Sequence, residues 1–318
     1  MSNSYSIVLM SPPIFLYYAK SEGICPPDFY SSTSSPISYS YNITLFSICI
    51  IIILIFVRNF VFSQIYSIIP IMKLQKLYSK VRQALDDYNM ITENDKIAIG
   101  VSGGKDSLTL LYALSGIRSF YPVPFKLVAI AIDLGYDDFD LAPVKALCDE
   151  LSVEFYVVKT DIGRISLEKS KNQASPCSWC AKLRKGALND FALSVGCNKI
   201  AYAHHMDDII ETMFLSLLYE GQFYSFAPVT QLDGSGLAII RPLMYVGESD
   251  VKGFKNKYNL PVCKNPCPYD GHTRREYVKQ LVRQLNMENP GVKKRLFSAI
   301  QNGNIDDWVK CTKPSDAS

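Results

Sequence analysis

Residues 96–101, KIAIGV, form a short apolar run that reads as a buried β-strand. Similar runs recur at 126–132 (KLVAIAI), 153–158 (VEFYVV) and 199–204 (KIAYAH). Between them lie stretches of helical character, near 107–119, 140–151, 179–195 and 207–219. A helix over MKLQKLYSKVRQALDDYNM opens the series. Short strands alternating with helices predict βαβ units: an α/β fold with a parallel sheet and helices on both faces. Ligands of such sheets sit beyond the carboxyl ends of the strands. Three polar clusters fall there: SGGKDS after the first strand, Asp133 after the second, and HHMDD after the fourth. From Ile239 the pattern changes to IIRPLMYV, a helix near 248–258, a Pro/Cys-rich stretch and two basic helical segments. The expected organisation is an N-terminal segment 1–71, an α/β domain 72–238 and a helical extension 239–318.

Composition sharpens the two ends. Residues 1–71 carry only four formal charges, Lys20, Glu22, Asp28 and Arg58, and residues 43–57 are almost wholly apolar. About 20 residues cross a bilayer untilted, so this run is short for a span. It also lies too far from Met1 for a secretory signal. It reads either as a membrane tether or as an extension preceding a start at Met72. The second reading places the protein in the cytoplasm, with membrane as a partner only if the segment is genuine. The net charge of +3 conceals a cluster at 252–295, with eleven Lys or Arg against three Asp or Glu. That is a candidate footprint for a polyanion, or simply a solvated helical surface.

The SGGKDS loop is not a Walker A motif. Ile99 stands where the first glycine would be, and Asp106 follows Lys105 where a metal-binding Ser or Thr is required. A tight Gly-Gly turn, a lysine and a helix N-terminus would still hold an anion. The Cys177-x-x-Cys180 pair opening a basic helix fits half of a zinc site, part of an iron–sulfur site or a redox pair. Cys263, Cys267 and His272 are further thiol and imidazole donors downstream.

The string SGGKDS after a strand resembles the loop of the PP-loop N-type ATP pyrophosphatases, which cleave ATP between the α- and β-phosphates. CSWCAKLRKG, AYAHHMDDIIETMFLSLLYEG, IIRPLMYV and NPCPYDGHTRRE follow in order. Together they resemble the tRNA 2-thiocytidine synthetase family over roughly residues 72–302. The resemblance implies an ATP- and Mg²⁺-dependent enzyme that adenylates O2 of a cytidine in the tRNA anticodon loop and replaces it with sulfur, releasing AMP and pyrophosphate. It also implies a [4Fe–4S] cluster on Cys177, Cys180 and Cys267, with Cys263 as the alternative third ligand.

On that basis Ser102, Gly103, Gly104, Lys105 and Ser107 are expected to bind pyrophosphate. Asp106 is expected at Mg²⁺ or as a helix cap, and Asp133 at the nucleoside or as a turn former. His204 or His205 is expected near the nucleotide. Arg184 is expected to stabilise adenylate charge, and Asp207 to handle metal or protons near the cytosine. Trp179 is read as core or as a base-stacking platform. Lys264, Arg274, Arg275, Lys279 and Arg283 are expected on the tRNA backbone. Partners are tRNA, a sulfur donor such as a cysteine desulfurase system, and a second copy of the chain as a homodimer. The competing readings are a thiolase acting on a tRNA uridine and a non-catalytic, metal-bearing RNA-binding protein.

Overall fold

A computed structural model describes residues 74–136, 139–170, 176–232, 234–264, 267, 274–303 and 308. The chain divides into two compact units, Met1–Gln64 and Ile65–Ser318. The first unit, with the candidate tether at 43–57, lies outside the described residues, as do Cys25, Cys49, Cys311 and His272. Among the described residues no helix is long and apolar enough to cross a membrane.

In the second unit α1 (Leu74–Asp87) precedes β1 (Lys96–Gly100), α2 (Lys105–Ile117), β2 (Lys126–Asp133), α3 (Ala142–Glu150) and β3 (Glu154–Lys159). There follow α4 (Ile162–Ser170), α5 (Pro176–Ser194), β4 (Lys199–Ala201), α6 (Met206–Tyr219), β5 (Val229–Gln231) and β6 (Ala238–Ile240). Three helices complete the unit: α7 (Glu248–Lys257), α8 (Arg274–Glu288) and α9 (Val292–Asn302). The six strands form one sheet in the order β3-β2-β1-β4-β6-β5. All neighbours are parallel except β5 and β6.

Strand alternation builds a core on each face. Ile97, Ile99, Leu127, Ala129 and Ala131 pack on one side with α1, α2 and α6. Ala98, Val128, Ile130 and Ile132 pack on the other against Leu188 and Ala192 of α5. The expected α/β fold is the one found. Two features differ from the pattern-based reading. The nine-residue α4 and the three-residue β5 were not anticipated, and β6 lies across the expected boundary at 238/239, hydrogen-bonded to β4. The C-terminal helices pack back on this body, α7 on α2 and both α8 and α9 on α6, within a single compact unit.

Candidate functional site

A cavity of about 410 Å³ opens beyond the carboxyl ends of β1, β2 and β4. Four contributions meet in it: the β1–α2 loop, the β2 wall, the α5 face and the β4–α6 junction.

The β1–α2 loop is held by its own short-range bonds. The Ser102 N–H donates to Ser107 Oγ at 3.2 Å, and Ser107 Oγ donates to the Gly104 carbonyl at 3.0 Å. Gly103 has φ +75°, a left-handed conformation that costs a residue with a Cβ dearly. An added Cβ there would also meet Cys263 Cβ at 3.0 Å, because the Cys263 N–H donates to the Gly103 carbonyl. Gly104 caps α2 without a side-chain acceptor, so the helix N-terminus is left for an anion. Lys105 Nζ lies 2.8 Å from Asp106 Oδ2 and 3.6 Å from Glu248. Burial would raise the Glu248 carboxyl, but Lys279 at 2.8 Å and Lys252 at 3.1 Å hold it at about 2. The loop lysine thus rests on two carboxylates.

The β4–α6 junction separates the two carboxylates of HHMDD. His205 caps α6, its Nδ1 accepting from the Asp208 N–H while its own N–H donates to Asp208 Oδ2 at 2.9 Å. Asp208 lines the cavity. Asp207 does not: it is 3% exposed, accepts from the Glu248 N–H at 2.7 Å and from Lys293 Nζ at 2.6 Å. Burial works to raise its carboxyl, and these two donors hold it below the ordinary range. Asp207 is therefore a clamp between α6, α7 and α9, and Asp208 is the acid of the pair that lies on the cavity wall. One turn on, burial and then the neighbouring Asp208 push the Glu211 carboxyl up to about 7. Arg275 faces both acids, at 3.6 Å from Asp208 and 3.5 Å from Glu211.

Of the other expected residues, Ser102, Gly104, Asp106, Ser107, Arg184 and His204 line the cavity. Asp133 does not line it: its Oδ1 accepts from the Gly135 N–H, the turn-forming arrangement. Arg275 and Lys279 are partly exposed and pair with acids of α6 and α7. Lys264, Arg274 and Arg283 stay exposed, Arg274 lying over the Tyr219 ring. Trp179 is half-buried with Lys169 Nζ 4.8 Å from its ring centre.

The thiols fall into two places. Cys263 lines the cavity against Gly103. Cys180 lies one helical turn before Arg184, on the same face of α5. Burial raises its thiol; Arg184 opposes this, and Cys267 and then Cys177 add to it. Cys177, Cys180 and Cys267 are thus electrostatic neighbours, and Cys263 is not among them. Among the described residues no three His, Cys, Asp or Glu side chains converge as a ready-made metal site. In donor type the three thiols fit an iron–sulfur cluster, being soft ligands, and Arg184 acts on the Cys180 thiol against the burial that raises it.

Sequence reasoning passed over Arg241. It is 6% exposed, donates to the Ala227 carbonyl, to Thr230 Oγ1 at 3.0 Å and from Nε to His204 Nδ1 at 3.3 Å. Its signal was an arginine directly after an apolar strand, in IIRP.

Residues 73–285 match the model of a family described as the PP-loop domain. The chain is 40% identical over 229 residues to the tRNA-cytidine(32) 2-sulfurtransferase of Geotalea uraniireducens, covering 71% of this chain and 91% of that protein. It is 38% identical to the enzyme of the same name from Geobacter sulfurreducens, covering 72% and 90%. Among solved structures it resembles the U34-tRNA thiolase NcsA from Methanococcus maripaludis with its [4Fe-4S] cluster. That match has a TM-score of 0.61 at 24% identity, covers 71% of this chain and 77% of that one, and speaks to the fold. With the loop, the cavity and this similarity in agreement, the chain belongs to the PP-loop family and, within it, to the group of tRNA-cytidine 2-sulfurtransferases.

Proposed function

We propose that this protein is an ATP-dependent tRNA sulfurtransferase that replaces O2 of a cytidine in the anticodon loop with sulfur. The observation that carries this reading is the cavity itself. It joins a pyrophosphate-type loop to a junction bearing His204 and Asp208, with Arg184 reaching it from the cysteine-bearing helix. The position numbered 32 in the relatives' names is the target assigned to this chain.

The loop residues supply the first step. Backbone N–H groups at Gly103–Ser107 and the Lys105 ammonium bind the β- and γ-phosphates, and Lys105 exchanges its two carboxylate partners for phosphate oxygens. Asp106, released from Lys105, is placed to hold Mg²⁺ on the triphosphate. The cytidine O2 attacks the α-phosphorus; the bond to the β-phosphate oxygen breaks and pyrophosphate leaves. Arg184 stabilises the charge on the α-phosphate. Sulfide, released from the donor's persulfide by a thiol reductant, then adds at C2 as HS⁻ and loses its proton, and the C2–O bond breaks with its electron pair as AMP departs. Cys177, Cys180 and Cys267 would hold the [4Fe–4S] cluster, which when bound would supply the sulfur chemistry. Asp208 faces the reacting base and is a candidate to manage its protons. Lys264, Arg274, Arg283, Lys294 and Arg295, all exposed, are assigned to the tRNA backbone. A cysteine desulfurase system is the proposed sulfur donor, and a homodimer the proposed assembly.

Nucleoside mass spectrometry of tRNA from a strain lacking the gene tests the proposal. Loss of 2-thiocytidine is expected; unchanged 2-thiocytidine would overturn it, and loss of a thiolated uridine instead would move the activity to the alternative acceptor.

A further inference from the structure

We propose that His204, locked by Arg241, is the residue by which the enzyme distinguishes cytosine from uracil, donating its Nε2–H to the pyrimidine N3. The inference rests on the proposed function and assigns the specificity of that same site.

The cavity has two unlike walls. On the β2 side Ile130, Ile132, Leu134 and Phe139 are apolar, suited to the faces of adenine once the triphosphate is anchored at the central β1 loop. On the β4 side stand Tyr202, His204 and Asp208. The polar wall is where a second base has groups to meet.

Arg241 fixes what His204 offers there. A guanidinium only donates, so the His204 Nδ1 that faces Arg241 Nε at 3.3 Å is an acceptor and the ring proton sits on Nε2. Burial lowers Arg241 to about 10, which leaves it charged at neutral pH. The same burial, followed by the Arg241 charge, lowers His204 to about 3. The ring is therefore a neutral, permanent donor and not a proton shuttle. Stacking on Phe226 (4.2 Å between centres, 9° between planes) and on Tyr202 (5.5 Å, 21°) fixes its plane and leaves its edge for recognition. In the same wall the buried Tyr202 hydroxyl has no hydrogen-bond partner among the described residues. A buried hydroxyl without a protein partner, beside an imidazole oriented by Arg241, points to a ligand that supplies the missing bond.

Cytosine N3 is a lone-pair acceptor, whereas uracil N3 carries a hydrogen. A fixed Nε2–H is satisfied by the first and meets a second donor in the second. A site built this way rejects the mismatched analogue strongly, here by about 100-fold or more in kcat/KM. Arg241 is a positioning residue, acting through the His204 tautomer.

The test uses the cluster-loaded enzyme with ATP and tRNA transcripts carrying cytidine or uridine at the target position. Wild type is expected to prefer cytidine by about 100-fold or more. His204→Leu is expected to lose about 100-fold on cytidine and to bring the two bases within about tenfold of each other. His204→Gln, which restores an N–H donor, should recover much of the preference, separating lost recognition from lost folding. Because the chain has three histidines, long-range ¹H–¹⁵N spectra can resolve the tautomer. The Nε2–H form of His204 is expected in wild type, with the Nδ1–H form appearing in Arg241→Gln together with a reduced base preference. An active wild type whose His204→Leu variant keeps both rate and preference overturns this inference alone, as does an Nδ1–H tautomer in wild type. A wild type that thiolates neither base overturns the proposed function, and this inference with it.

Discussion

Two strand-to-helix junctions face one cavity, and they are built differently. The β1–α2 junction is made mostly of neighbours: Ser102, Gly104 and Ser107 bond one another within five residues, while the Gly103 carbonyl accepts from the Cys263 N–H. The β4–α6 junction is made of strangers. Asp207 is held by Glu248 and Lys293, Asp208 and Glu211 face Arg275, and His204 is held by Arg241. A loop assembled from local bonds can be carried unchanged among enzymes that all need to grip a triphosphate. A junction assembled from distant partners can be retuned without disturbing that grip, and the acceptor is what must be retuned. The first region thus answers to ATP and the second to the base.

The largest effect separates the two regions by function. Lys105→Met removes the loop's charge from the departing phosphates, and AMP release should fall by about 10³-fold. Filter binding of tRNA should change little, since that side chain faces Asp106 and Glu248 and none of the exposed basic residues. Equal loss of tRNA binding would break the division.

The next prediction contrasts the adjacent acids. Asp207→Asn leaves Lys293 without its charge partner and should cost about 2–3 kcal/mol in urea unfolding, whereas Asp208→Asn, in the cavity wall, should lower activity more than stability. The sign with pH follows. The folded Asp207 carboxyl lies below its unfolded value of 3.8, so its stabilisation is present above pH 3.8 and is lost as pH falls below it. In Asp207→Asn that part of the acid limb should be absent.

Glu211 has the opposite sign. Its folded value is about 7 against 4.5 unfolded, so its contribution is full below pH 4.5 and is lost as pH rises through about 7. Glu211→Gln should therefore be more stable than wild type at pH 8, by up to about 3 kcal/mol, and the two should converge near pH 4. Thermal melts across that range check it.

The smallest expected effect concerns the cysteines. Cys263→Ser should change iron content by less than about twofold, while Cys267→Ser and Cys180→Ser should lose most of it on anaerobic preparation. Equal iron in Cys267→Ser and wild type would move the third ligand elsewhere.

What could be read from the sequence follows the same division. The parallel sheet and the glycine loop were legible because strand alternation and local turn chemistry are encoded within a few residues. Strand β5 and helix α4 were not, being three and nine residues long with no sustained period. Asp207 and Asp208 are adjacent in sequence, and the partners that hold Asp207 inside, the Glu248 N–H and Lys293, lie 41 and 86 positions away. Arg275 and Lys279 read as surface charge because the acids they meet lie on α6 and α7. The place of Arg241 directly after an apolar strand is a local mark of burial, but its imidazole partner is 37 residues earlier and leaves none.

The central claim is that one cavity couples ATP cleavage at the α-phosphate to sulfur insertion at cytidine. The most direct measurement counts nucleotide and nucleoside products of the cluster-loaded enzyme with ATP, sulfide and unmodified tRNA. One AMP and one pyrophosphate are expected for each 2-thiocytidine formed, and none of the three when cytidine is absent from the target position. Formation of ADP, or of 2-thiocytidine without AMP, would contradict it.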